Sequence, residues 1–260
     1  MKSRKECKMG KLYRAATAAA AVFIAAFATG CGREKPAAGE NAAAESQAVK
    51  NLRLIASRGF AEAQRDLGVK LLEGDGVARN AAEAMEWFKK AAGQGDAAAA
   101  CRLGAMLFSG DGIEADESAA VEWFRKAAAH GETEAFVGLA AAYEKGLGVG
   151  RDAKEAAKWY ARAAAKGSHI AQTNLGYAFL TGNGVRKDAK EAARLFALAA
   201  AQGDRIAQTH LGDCFRDGAG VKRDAGEAAR LYRLAAAQGD ARAKAALEKL
   251  DAGSAKGRPQ

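Results

Sequence analysis

The chain has 260 residues, with 40 Lys+Arg against 31 Asp+Glu. Six of the bases and one acid, Glu6, lie in the first 30 residues, so the remaining 34 bases and 30 acids leave a mild net charge of +4. A nucleic-acid binder would carry a basic stripe with a matching motif, and neither is present. Of the four cysteines, Cys7 and Cys31 belong to the N-terminal end. Cys101 and Cys214 lie three repeats apart in the pattern described next, too far for the ~7 Å Cα spacing of a disulfide. Two free, semi-buried thiols are expected in place of a disulfide framework.

Lys2, Arg4, Lys5, Lys8, Lys11 and Arg14 form a basic head, and the run from Ala15 to Ala28 is uncharged and mostly apolar. This is the layout of a secretory signal, too short for a membrane-spanning helix of about 20 residues. Translation from Met9 would give it a more ordinary length. The run closes in Ala28-Thr29-Gly30-Cys31, which resembles the lipobox of bacterial lipoproteins, although Ala28 stands where leucine is usual. The resemblance implies a signal peptide over residues 1–30, lipid on Cys31 and, with Gly32 in place of an aspartate, an outer-membrane lipoprotein facing the periplasm. The other reading is an ordinary signal peptide cut nearby, with Cys31 incidental. Residues 31–47 hold Pro36, Gly39 and several alanines, which predicts a flexible tether reaching roughly 20–25 Å on average.

From residue 48 to 251 the sequence is periodic. Leu67, Leu103, Leu139, Leu175 and Leu211 recur every 36 residues, each preceded by four places by Ala63, Ala99, Ala135, Ala171 or Ala207. Paired glycines such as Gly182/Gly184 follow, then Trp87, Trp123, Trp159, Leu195 or Leu231, and a closing glycine from Gly95 to Gly239. A fixed period in this range means stacked supersecondary units. Within one unit, Ser168 caps a first helix, and Ala171, Leu175 and Phe179 form its apolar stripe. Gly176 recurs as Gly68, Gly104 and Gly212, with Ala140 in the third unit. Because a mid-helix glycine costs about 1 kcal/mol against alanine, its recurrence predicts close approach of a partner helix. Gly182-Asn183-Gly184 turns the chain, and Asp188 with Glu191 opens a second helix in a capping-box-like pair. Ala192, Phe196 and Ala199-Ala200 give that helix its apolar face, and Gly203 stops it. Five full repeats are expected at about 60–95, 96–131, 132–167, 168–203 and 204–239. Capping helices at Ala48–Arg58 and Ala241–Leu250 flank them, and a disordered tail covers 252–260.

The pattern Ala-x3-Leu-Gly…Gly-x-Gly-Val-x2-Asp…Ala-x2-Trp…Ala-Ala…Gly resembles the Sel-one-like repeat family, a branch of the tetratricopeptide-like helical solenoids. The resemblance implies an all-α fold, an α/α solenoid of tandem helix-turn-helix repeats wound as a right-handed superhelix. It also implies adaptor or scaffold roles and no reaction. Leu195 and Leu231 replace the family's tryptophan, which predicts softer packing in the last two repeats. Trp87, Trp123 and Trp159 are expected in the core.

No chemistry-bearing motif competes with that reading. Gly74-Asp75-Gly76 follows a helix, with no Lys-Ser/Thr pair after it, so it is a turn and not a phosphate loop. His130, His169 and His210 form no i, i+4 ligand pair, and neither a Ser-x-x-Lys nor a Gly-x-Ser-x-Gly nucleophile motif occurs. No cofactor, metal site or enzymatic activity is expected. At 100° per residue, positions one before and two after each first-helix leucine fall off the apolar stripe, on an exposed side. They are Asp66 and Val69, Arg102 and Ala105, Gly138 and Ala141, Asn174 and Tyr177, His210 and Asp213. Family resemblance implies that first helices line the concave surface, so Asp66, Arg102, Asn174, Tyr177, His210 and Asp213 are the candidate partner-binding ridge. The expected protein is a monomeric, lipid-anchored envelope scaffold that holds an unidentified protein or peptide and no nucleic acid. A cell-wall glycan-binding accessory and a secreted effector-like protein that meets host proteins are the alternatives.

Overall fold

A computed structural model describes the backbone of residues 45–256 and side chains as far as residue 252. The leader, Cys31 and most of the predicted tether lie outside the described residues. Among those residues the secondary structure is helical throughout, with no strand. The helices run α1 Gln47–Ser57, α2 Ala61–Glu73, α3 Ala81–Gly93, α4 Ala97–Ser109, α5 Glu117–Ala129 and α6 Thr133–Lys145. They continue as α7 Ala153–Ala165, α8 His169–Thr181, α9 Ala189–Ala201, α10 Arg205–Asp217, α11 Ala225–Ala237 and α12 Ala241–Lys256. The fold is an all-α solenoid of tandem helix-turn-helix repeats. Its contacts divide into two compact units, one ending at Ala141 and the other beginning at Ala142. Within each unit, helices adjacent in sequence pack on one another.

Both ends differ from the sequence reading. Ser46 accepts a bond from Val49 N at 3.3 Å and so caps α1, while Glu45 accepts one from Arg53 Nε at 3.0 Å. The helical stack therefore takes in the last residues assigned to the tether. At the other end α12 runs on to Lys256, because Ala252, Ser254, Ala255 and Lys256 present no proline to stop it.

The helix boundaries follow local chemistry. Ser168 caps α8 through Ala171 N at 3.4 Å, and Asp188 caps α9 through Lys190 N and Glu191 N at 3.0 and 3.1 Å. The reciprocal half of the capping box is absent at α9. Glu191 turns forward to Arg194, which donates to it through Nε and Nη2 at 2.8 and 2.6 Å. A charged donor one turn ahead outcompetes the Asp188 amide, which already bonds Phe179 O at 2.9 Å.

The recurring helix glycine has a specific partner. A Cβ built on Gly68, Gly104 or Gly176 would lie 2.8 Å from the ring of Phe88, Phe124 or Phe196, and on Gly212 2.7 Å from Tyr232. The core is thus an aromatic side chain of each second helix seated on a bare patch of the first. Phe88, Phe124, Phe196 and Tyr232 are fully buried, and Tyr160 nearly so. Trp87, Trp123 and Trp159 are only half-buried, contrary to the core placement expected for them. Lys90 Nζ and Lys126 Nζ lie 4.0 and 3.9 Å from the Trp87 and Trp123 ring centres, and Arg162 Cζ lies 4.7 Å from that of Trp159. Leu195 and Leu231 are, by contrast, buried to 3% and 2% exposure, so these two positions pack more completely than their tryptophan counterparts.

Each interhelical turn also has a packing role. Gly184 and Gly220 have φ of +74° and +76°, and a Cβ on either would fall 2.0 Å from the carbonyl oxygen of Ala153 or Ala189. The second glycine of the pair lets one repeat's turn rest on the first turn of the preceding repeat's second helix. A part-buried relay adds to this: Gln202 donates to Gln172 Oε1 at 2.9 Å, and Gln172 donates to Ala164 O at 3.4 Å. Gln238, Gln208 and Ala200 repeat the arrangement one period later.

Candidate functional site

The predicted ridge is most developed in the second unit. α8 carries Asn174 and Tyr177, both half-buried, and α10 carries His210 and Asp213. The Tyr177 and His210 rings meet with centroids 5.7 Å apart and planes inclined by 47°. The structure therefore brings together the two side chains whose spacing suggested it. It does not leave His210 exposed, however: at 9% exposure the imidazole stacks on Phe196, centroids 5.1 Å apart and planes 19° apart. The expectation of an exposed histidine fails because it counted turns on one helix and ignored the aromatic that the neighbouring second helix supplies.

Asp213 is also committed. It accepts from Tyr232 Oη at 2.7 Å, pairs with Arg216 Nη1 at 2.9 Å, and holds Arg242 Nη2 at 3.2 Å. Tyr160 Oη donates likewise to Glu144 Oε2 at 3.0 Å. Sequence reasoning passed over Glu144, Tyr160, Tyr232, Arg216 and Arg242. An aromatic twenty places after a helix glycine, carrying a hydroxyl in two of five repeats, was the signal that could have found them. Glu144, Tyr160, Asn174 and Tyr177 line a cavity of about 10 Å³, room for about one water molecule. Asn174, Tyr177, Asn183 and the edge of Glu144 are the side chains there with polar atoms left for a partner.

Burial, with a smaller contribution from Arg242, pushes the His210 imidazole down to about 4, against the opposing pull of Asp213, Asp240 and Asp204. His169 moves the other way, since its Nδ1 lies 2.8 Å from Asp204 Oδ2. Burial pushes the Cys214 thiol up to about 11 and raises Cys101 as well. Both thiols are free and fully buried, not semi-buried as expected. Among the described residues, no three His, Cys, Asp or Glu side chains converge as a metal site would require.

In the first unit the ridge is thinner. Asp66 is exposed and holds Arg65 Nη2 at 3.0 Å, and Arg102 is half-buried. Val69 and Ala105 are half-buried and small. Gly138 and Ala141 are buried, against the expected exposed placement. A Cβ on Gly138 would press to 2.7 Å on the Phe124 ring, so this position serves packing and presents no side chain.

Four bare-glycine seats, five left-handed glycine stops and the 36-residue spacing set the terms for comparison with known proteins. The profile described as Sel1 repeat matches residues 61–96, 97–132, 134–168, 169–204 and 205–240. The chain belongs to the Sel1 repeat family. The repeat borders fall one or two residues later than the leucine spacing alone placed them. A protective antigen of uropathogenic Escherichia coli with an SLR fold is 31% identical over 92% of this chain, with a TM-score of 0.73. The chain spans only half the length of that antigen. A Sel1 repeat protein from Oxalobacter formigenes is also 31% identical, with a TM-score of 0.72, over 88% of this chain and 86% of its own. A sel1 repeat protein from Klebsiella pneumoniae, 20% identical over 78% of this chain and 99% of its own, shares the fold at a TM-score of 0.52. No curated protein matches the chain. Sel1 repeat proteins are scaffolds that typically mediate protein–protein interaction, and this chain is built as one.

Proposed function

We propose that this Sel1 repeat chain is a lipid-anchored scaffold of the bacterial envelope, tethered through Cys31, that holds a protein or peptide partner on its first-helix ridge. The observation that carries the binding half is the change along the ridge, from small or buried side chains at Ala105, Gly138 and Ala141 to Asn174 and Tyr177. A tyrosine gives a rigid apolar ring with a polar tip, the kind of group enriched where interfaces concentrate their energy. In the first unit the equivalent positions Asp66 and Arg102 carry charge. His210 and Asp213 have a supporting part, one backing the Tyr177 ring and the other tying α10 to α11 and α12. The anchoring half is supported by the Ala28-Thr29-Gly30-Cys31 sequence.

The two halves are tested separately. Cys31→Ser should yield an unprocessed or soluble protein that no longer takes up labelled lipid; continued labelling and sedimentation with membranes would refute the lipobox. Asn174→Ala/Tyr177→Ala, which leaves the His210–Phe196 stack in place, should lose the partner recovered from detergent-solubilised envelopes. Undiminished recovery with the fold intact would place the working face elsewhere.

A further inference from the structure

The second helices of the last two repeats differ from those of the first three in a coordinated way. Where Trp87, Trp123 and Trp159 stand earlier, Leu195 and Leu231 stand later; where Lys90, Lys126 and Arg162 cover those rings, Leu198 and Leu234 follow. Both members of the Trp–cation pair are replaced, and in both repeats. Leu198 and Leu234 are left 43% exposed. On the second unit a groove of about 540 Å³ lies between α9 and α11, and the replacement residues Leu231 and Leu234 line it. Leu231 and Leu234 form one wall, Ala193, Ala197 and Ala200 the other, and Leu211 and Phe215 of α10 the floor. It shares no residue with the first-helix ridge.

We infer that this groove docks an acidic amphipathic helix of a partner protein, a second interaction surface distinct from the ridge. Its walls are two helices in equivalent positions of consecutive repeats, so the opening is a trough. Alanines on one side let a third backbone approach closely, while the leucine wall and the Phe215 floor suit apolar anchors at i, i+3 or i+4, and i+7. The rim sets the charge of the occupant. Lys190, Arg194 and Arg230 line it with Glu227, and Glu191 pairs with Arg194, so three cations face two carboxylates and the rim keeps an excess of one positive charge. Each arginine spends Nε and Nη2 on its own glutamate, which leaves Nη1 to donate to an incoming carboxylate.

The chain's own segments outside the repeats do not suit the trough: the apolar run Ala15–Ala28 is led by the basic residues Lys2, Arg4, Lys5, Lys8, Lys11 and Arg14, which would meet a basic rim. Residues 32–44 and 252–260 contain no Leu, Ile, Val, Met or aromatic residue, and the latter segment is basic. A second copy would set the Lys190, Arg194 and Arg230 rims against each other, which disfavours it.

The test uses the purified full chain and three synthetic helical peptides. All carry leucines at i, i+3 and i+7, flanked by glutamate, glutamine or lysine, and binding is followed by fluorescence anisotropy. The glutamate peptide should bind saturably and the lysine peptide should not. Leu234→Ser should weaken the glutamate peptide by roughly tenfold or more, as loss of an anchor does, with helical content and melting temperature unchanged. Lys190→Gln/Arg194→Gln should weaken the glutamate peptide and leave the glutamine peptide unaffected. The Asn174→Ala/Tyr177→Ala variant should bind all three like the parent, so failure of the ridge and failure of the groove are read separately. Equal binding of acidic and basic peptides, or no response to Leu234→Ser, would overturn the proposal. So would a concentration-dependent dimer in sedimentation that Leu234→Ser abolishes, since a second copy would then be the occupant.

Discussion

The second helices of the first three repeats and those of the last two share one interior and differ in their exteriors. Inside, a Cβ built on Gly104 or Gly176 would lie the same 2.8 Å from the ring of Phe124 or Phe196, and both rings are fully buried. Outside, the earlier repeats shield a half-buried tryptophan with a cation, whereas the later ones bury a leucine and expose another. What makes the repeat is thus the aromatic one place beyond the tryptophan. The tryptophan position itself is free to change with the surface.

That division makes its strongest prediction in the interior. Phe124→Ala and Phe196→Ala should each cost about 3–5 kcal/mol, the range for a large aromatic removed from a packed core, measured by urea unfolding followed by circular dichroism. Near equality of the two would confirm a common interior. A much smaller loss for Phe196→Ala would restore the softer packing that the tryptophan replacements suggested. Leu231→Ala should cost about 2–5 kcal/mol, because the side chain is 2% exposed. A loss under about 0.5 kcal/mol, the scale of surface changes, would mean that this leucine belongs to the surface like the tryptophans it replaces.

How much of this was legible in the sequence follows from which arguments were local. Period, helix ends and turns came from residues acting on their own backbone: Ser168 and Asp188 as caps, Gly203 with its φ of +88° as a stop. The recurring glycine was legible too, since a cost repeated four times needs a compensating contact. Which aromatic makes that contact was not, because adjacent Trp and Phe both read as apolar, and only the three-dimensional seating of Phe88 on Gly68 decides between them. The ridge was half legible. Rotation about one helix found Asn174 and Tyr177, but burial of His210, Gly138 and Ala141 is imposed by rings from other helices that no single-helix wheel includes. Glu144 and Asp213 acquire their tyrosine partners the same way.

The ridge supplies the next effect. Only the later region places a histidine at the ridge position, and its folded pKa of about 4 lies below the ordinary value of 6.5. The unfolded chain therefore binds that proton first. Stability is fully present above pH 6.5, declines as pH falls below it, and stops declining near pH 4. Between pH 7 and pH 5 the loss should be about 2 kcal/mol. His169 has the opposite sign, since Asp204 raises its pKa and its contribution fades only as pH rises through that value. It is half exposed, so its part is small. Urea midpoints of the parent and His210→Gln at the two pH values check this: the variant should lose most of the acid sensitivity, and an unchanged slope would assign the sensitivity to other groups.

The smallest effect addresses the exterior directly. In the earlier region Lys126 Nζ sits 3.9 Å over the Trp123 ring centre, and an exposed cation–π contact of this kind is worth about 0.5–1 kcal/mol. Lys126→Leu should cost about that much, even though leucine is a good helix former, because the tryptophan loses its cover. The reciprocal change, Leu198→Lys, should stay within about 0.5 kcal/mol, because Leu195 offers no ring to the new cation. The pair of measurements separates two explanations of the exterior. If the cation matters only where a tryptophan lies beneath it, the costs are unequal in this order, and Trp with Lys forms one exchangeable element, as Leu with Leu does in the later repeats. Equal costs would mean that each position responds to its own exposure alone, and the joint replacement in both late repeats would then owe nothing to contact between the two side chains.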